Sequence, residues 1–130
     1  MSKPGGVEVL ASRVLLRPVD PERSWAFYGG TLGLAVGREF PGGVVYHLGG
    51  GFLEVSGRAE RPAGPTVQLW LSVRDVDGAF ADATAAGARG LQAPRDEPWG
   101  LREAWLEGPD GERLCIVTVP PEHPLRRDDR

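Results

Sequence analysis

The alternation of apolar and polar positions divides the chain into short strands separated by glycine and proline turns, with two helical stretches among them. Val7 to Leu10 and Arg13 to Arg17 are β-prone, and Pro18 ends the second because proline cannot donate to a ladder. Asp20 reads as an N-cap with Pro21 at the first helical position, so the spacing of Trp25, Phe27 and Tyr28 predicts a helix from about Pro21 to Thr31, closed by Gly29, Gly30 and Gly33. Ala35 to Phe40, Val44 to Leu48 and Gly51 to Val55 follow as a meander of hairpins. After the Arg-, Pro- and Gly-rich stretch 57–65, which reads as a hinge, the order recurs: strand Thr66 to Val73, cap Asp75, helix Val76 to Ala86 ended by Gly87. Strands Gly90 to Ala93, Leu101 to Glu107 and Arg113 to Val119 come next, the last two joined by the turn Gly108 to Gly111.

The recurrence is a repeat in the sequence itself. Asp20 and Asp75 stand 55 positions apart, as do Arg13 and Gln68, and Trp25 and Phe80. A period of that length marks a duplicated supersecondary unit. Each half reads βαβββ, which predicts an α+β fold of two tandem βαβββ modules, module one about 7–56 and module two about 66–119, with a tail at 120–130. Their curved mixed sheets are expected to surround a shared cleft.

At 130 residues the chain makes one domain, so both modules belong to one architecture. The net charge of -3 and the scattering of the arginines exclude the clustered basic face of a nucleic-acid binder. Arg126, Arg127 and Arg130, interleaved with two aspartates, read as a solvated end. No apolar run reaches the length of a membrane span, and Met1 to Gly6 do not resemble a signal peptide, so the sequence predicts a soluble protein without a membrane partner. One cysteine, Cys115, precludes an intrachain disulfide and points to the reducing cytoplasm.

The run from Val14 to Asp20, then Ser24 to Tyr28 and Leu32 to Leu34, resembles the opening module of the glyoxalase, bleomycin-resistance and extradiol-dioxygenase group, the vicinal oxygen chelate superfamily. Trp99, Gly100 and Leu101, with Glu107 to Leu114, resemble its closing module. In enzymes of that group, as the resemblance implies, a divalent metal is held by a His or Glu on the first strand of each module and an acidic residue on the last. Those positions fall on Arg13, Glu54, Gln68 and Cys115. Only Glu54 is a family-like ligand, and Gln68 is a weak oxygen donor. An arginine has no lone pair to give and repels a cation, so the chemistry favours an Arg13–Glu54 contact over a metal. The two histidines, His47 and His123, cannot supply a zinc or iron site from such a stock.

The expected cleft residues are Arg13, Phe52, Glu54, Gln68, Trp70, Trp99 and Cys115, with no metal or other cofactor and no catalytic group. Phe52 shares a strand face with Glu54, and Trp70 with Gln68. Trp99 lies in a loop that the resemblance puts at the cleft mouth, and aromatic walls with a few polar groups suit a small-molecule pocket. Cys115, between Leu114 and Ile116, reads as a small buried hydrophobe rather than a nucleophile. Which of Tyr46 and His47 faces the cleft is open. Phe27, Tyr28 and Phe80 are expected in the core. The favoured reading is a metal-independent binder of a small organic ligand, sequestering an antibiotic or metabolite, and a homodimer by resemblance. The competing readings are a metal-dependent lyase, isomerase or dioxygenase, using His47 with Glu54, and a regulatory or structural domain. The acidic balance suits a cationic ligand, whereas Arg13 suits an anionic one.

Overall fold

The computed structural model describes residues 5–128, and side chains as far as Arg126. Module one comprises β1 (Arg13–Leu16), α1 (Pro21–Trp25) continuing as a π-helical segment (Ala26–Thr31), β2 (Val36–Phe40), β3 (Gly43–Leu48) and β4 (Gly51–Ser56). Module two comprises β5 (Gln68–Ser72), α2 (Val76–Ala85), β6 (Arg89–Asp96), β7 (Arg102–Glu107) and β8 (Arg113–Thr118), and α3 (Leu125–Asp128) follows. Both sheets have four strands, in the orders β1-β4-β3-β2 and β5-β8-β7-β6. The first and last strands of each module run parallel, and the other neighbours are antiparallel.

Local chemistry explains the helices. Asp20 accepts from the Arg23 N–H at 3.3 Å and Asp75 from the Gly78 N–H at 3.1 Å, so both repeated aspartates are N-caps. Past Trp25 the first helix widens, and the Leu32 N–H bonds the Phe27 carbonyl at 2.9 Å, five residues back. Gly29 lies in this widened turn against the Tyr46 ring, where a side chain would crowd the tyrosine.

Residues 7–10, expected as a strand, form none, and Val7, Val9 and Leu10 are exposed. Apolar composition alone does not make a strand without a ladder partner, and β1, whose neighbour is β4, begins only at Arg13. In the tail Arg126 is exposed, and it and Leu125 still make contacts with the sheet. Arg126 donates from Nε to the Val119 carbonyl at 2.8 Å, and Leu125 packs on Leu101, Cys115, Val117 and Val119. Asp129 and Arg130 lie outside the described residues, as do the side chains of Arg127 and Asp128.

The helix-side faces of both sheets share one core. It joins Leu16, Phe27, Tyr28, Tyr46, Leu53 and Val55 of module one to Leu69, Val76, Ala83, Ala104, Leu106, Leu114 and Ile116 of module two. Phe80 packs at its edge. A polar joint runs beside it: the buried Tyr28 hydroxyl donates to Glu112 Oε2 at 3.0 Å, and the Val19 N–H to Asp110 Oδ2 at 3.0 Å. With the inner faces joined, the opposite face of each sheet is left for function.

Candidate functional site

On β4 the buried Leu53 and Val55 point into the core, so Phe52, Glu54 and Ser56 point to the opposite face. β1 sends Arg13 and Leu15 to that face, and β3 sends Val45 and His47. Tyr46 is therefore the core residue of its pair, with its hydroxyl 3.4 Å from the Trp25 carbonyl. His47 is exposed and lies 5.3 Å from the Phe52 ring, centroid to centroid.

The polar centre of this face is Glu54. Its Oε1 accepts from Arg13 Nη1 at 2.9 Å, and its Oε2 accepts from Ser56 Oγ at 2.7 Å and lies 3.5 Å from Arg17 Nη1. Arg17 also reaches Ser56. The Ser56 hydrogen bond and then the Arg13 guanidinium hold the Glu54 carboxyl below the usual carboxylate range. Two guanidinium groups thus surround one carboxylate, and the cluster carries a net positive charge.

The corresponding face of module two divides into an open end and a covered end. Gln68 and Trp70 are exposed on β5, in register with Arg113 and Cys115 of β8. Further along, Leu125 and Trp105 both pack on the cluster of Leu101, Cys115, Val117 and Val119, and His123 Nε2 stands 3.1 Å from the Trp99 carbonyl. Beside this C-terminal strap the Glu103 carboxylate is buried, accepting from Trp99 Nε1 at 2.5 Å and from Cys115 Sγ at 3.6 Å. Burial, followed by the negative charge of Glu103, pushes the Cys115 thiol up to about 12.

The registers show how far the duplication extends. Leu15 stands opposite Glu54 as Trp70 stands opposite Cys115, so Arg13 and Gln68 hold equivalent places, as do Glu54 and Cys115. Among the described residues, no hydrogen bond or ion pair links the Arg13–Glu54 pair to Gln68 or Cys115; Gln68 donates only to the Pro65 carbonyl, at 3.3 Å. Trp70 does share a cleft of about 330 Å³ with His47, Leu48 and Leu34, where the β3–β4 hairpin meets β5. Trp99 is half exposed with its indole nitrogen committed to Glu103, and Cys115 is covered. Sequence reasoning missed Arg17, Ser56, Glu103 and Arg113. Strand alternation out from Glu54 and Cys115 could have found Ser56 and Arg113.

The donor set does not fit a metal. Arg13 offers no lone pair, both oxygens of Glu54 are engaged, and Cys115 is held as a buried thiol rather than a thiolate.

The sequence pattern of the Glyoxalase/Bleomycin resistance protein/Dioxygenase superfamily matches residues 11–116. None of the curated proteins compared matches. Among crystal structures, a glyoxalase/bleomycin resistance protein/dioxygenase from Nocardioides superposes with a TM-score of 0.75 at 23% identity, covering 93% of this chain and 91% of the other. TioX from Micromonospora sp. ML1 is 28% identical with a TM-score of 0.69, over 84% of this chain and 95% of its own. A bleomycin resistance determinant encoded on transposon Tn5 shares the fold at 21% identity and a TM-score of 0.69, over 85% and 98%.

Proposed function

The chain belongs to the Glyoxalase/Bleomycin resistance protein/Dioxygenase superfamily, and we propose from that premise that it binds a small organic molecule without a metal, on the open faces of its sheets. The observation that carries this reading is the Arg13–Glu54 ion pair, 2.9 Å long, in the place where metal-dependent relatives are expected to hold their ion. A guanidinium there supplies the positive charge and fixes the carboxylate, so the face is a binding surface and not a Lewis-acid centre. Arg13, Glu54 and Gln68 provide polarity, Phe52 and Trp70 provide stacking surface, and Trp99 and Cys115 form the rim and floor at the covered end. Binding without turnover is sequestration, of an antibiotic or a metabolite.

The protein acts as a homodimer in this reading. Leu15, Phe52 and Trp70 are 51%, 37% and 49% exposed on these faces, and a second copy laid over them would bury that apolar area and enclose the ligand. The lone buried thiol, Cys115, suits a reducing cytoplasm. Among the described residues no helix is long and apolar enough to cross a membrane.

Native mass spectrometry of freshly purified protein, with elemental analysis of the same sample, tests the reading. A dimer without stoichiometric metal is expected. Stoichiometric zinc, nickel, manganese or iron, lost on Glu54→Ala, would overturn metal independence.

A further inference from the structure

Arg113 stands apart from the other arginines of the described residues. Arg13, Arg17, Arg89, Arg95 and Arg102 each have a carboxylate partner, Arg58 and Arg126 donate to backbone carbonyls, and Arg23, Arg38, Arg61 and Arg74 are exposed to water. Arg113 is partly buried, no described residue accepts a hydrogen bond from its guanidinium, and its Nε is buried with no partner. The residue directly across the ladder is Glu107, whose carboxylate is engaged by Arg89 at 3.4 Å. Only Nε is enclosed, so the outer nitrogens of Arg113 stay accessible and, with no carboxylate of the described residues bonded to them, are free to take an anion.

The surroundings say what that something is. Arg113 is in register with Gln68, whose amide is exposed, and the next pair on the same face is Trp70 with Cys115. The guanidinium and the indole of Trp70 thus begin two residues apart along the strands, roughly 7 Å. That is the length of a carboxylate joined to an aromatic ring. The carboxylate of Glu103, buried on this face without a cationic partner, stands opposite Val117, four residues farther along β8. The accessible end of the face is the cationic one.

We infer that Arg113, Gln68 and Trp70 form an anion subsite that selects planar aromatic carboxylates. The carboxylate sits end-on against the outer nitrogens of Arg113 with the Gln68 amide beside it, and the ring lies on Trp70. This deepens the binding reading above and rests on it. It also decides between the two ligand charges that composition leaves open, in favour of the anion.

Calorimetric titration of the full chain with 2-naphthoate, 2-naphthamide and 2-naphthylmethylammonium tests it, since the three share a ring system and differ in charge. Naphthoate is expected to bind about tenfold more tightly than the amide, the margin of a charge-assisted over a neutral hydrogen bond. Arg113→Gln should erase that margin and leave naphthamide binding within about twofold, because the neutral probe never used the charge. Arg113→Lys should keep part of it, and Trp70→Ala should weaken all three probes. Thermal unfolding of each variant separates lost binding from lost fold. A preference that survives in Arg113→Gln, or amide or ammonium binding as tightly as naphthoate in the unaltered protein, overturns the anion subsite while leaving small-molecule binding intact. Failure of all three probes on the unaltered protein sinks both.

Discussion

Arg13 Nη1 donates to Glu54 Oε1 at 2.9 Å, diagonally across the parallel pair β1–β4, in which Arg13 stands opposite Phe52 and Leu15 opposite Glu54. The contact joins the first and last strands of module one on the face turned from the core. It links an arginine found at a repeat position to the one family-like ligand in the chain.

The pair should be visible in an acid titration. Glu54 has its carboxyl lowered in the folded protein, first by Ser56 and next by Arg13. Its contribution to stability is therefore complete above the ordinary carboxyl value of about 4.3 and is lost as the pH falls through the lowered folded-state value. Carboxyl-carbon NMR should place the Glu54 titration below that of an exposed glutamate. It should move up in Arg13→Met and farther up in Ser56→Ala. A Glu54 titration unmoved by Arg13→Met means that the pair does not form in solution.

Gly43 is the position on which the placement of Ser56 depends. A Cβ there would lie 2.7 Å from the Ser56 Cβ and closer still to the Phe40 ring. Gly43→Ala should cost about 1–3 kcal/mol in denaturant unfolding, as overpacking does. It should also raise the Glu54 titration by displacing Ser56, which a purely local strain would not do.

The joint between modules rests on Tyr28 and Glu112, both almost wholly buried. Burial and the adjacent Glu112 carboxylate push the Tyr28 hydroxyl up, so it remains a donor throughout the working pH range. Tyr28→Phe leaves Glu112 Oε2 without that donor, although Oε1 keeps the Asp110 N–H at 2.8 Å. A loss of about 1–3 kcal/mol in urea unfolding is expected, partly recovered by adding Glu112→Gln. Additive losses in the double variant would show that the two groups are not coupled.

Much of the fold was legible because its signals are local. The capping aspartates, the proline at the helix start and the glycine turns act within a few residues, and the 55-position repeat shows that they recur. The site was legible only as a pattern. Alternation put Phe52 with Glu54 and Trp70 with Gln68, and chemistry paired Arg13 with Glu54. What remained hidden depends on long-range packing. Nothing near Tyr28 in sequence announces Glu112, 84 residues on. The same holds for Leu125 over Cys115, and for the failure of residues 7–10 to find a partner.

The strap makes the last prediction. Cys115 is shielded by Leu125 on one side and held as a thiol by burial and by Glu103, its value raised to about 12. Relative to an ordinary cysteine near 8.5, the thiolate at neutral pH is suppressed on the order of a thousandfold. Native protein should therefore react with iodoacetamide far more slowly than denatured protein at pH 8. Leu125→Ala removes the cover and the apolar contacts of a half-buried leucine, which should cost about 1–2 kcal/mol. It should also speed alkylation and shift the tryptophan emission to the red as water reaches the cluster on which Trp105 also packs. If the leucine were an exposed tail residue, stability, emission and thiol reactivity would all stay at their native values. A change in reactivity alone would mean that Leu125 screens the thiol without packing on the sheet.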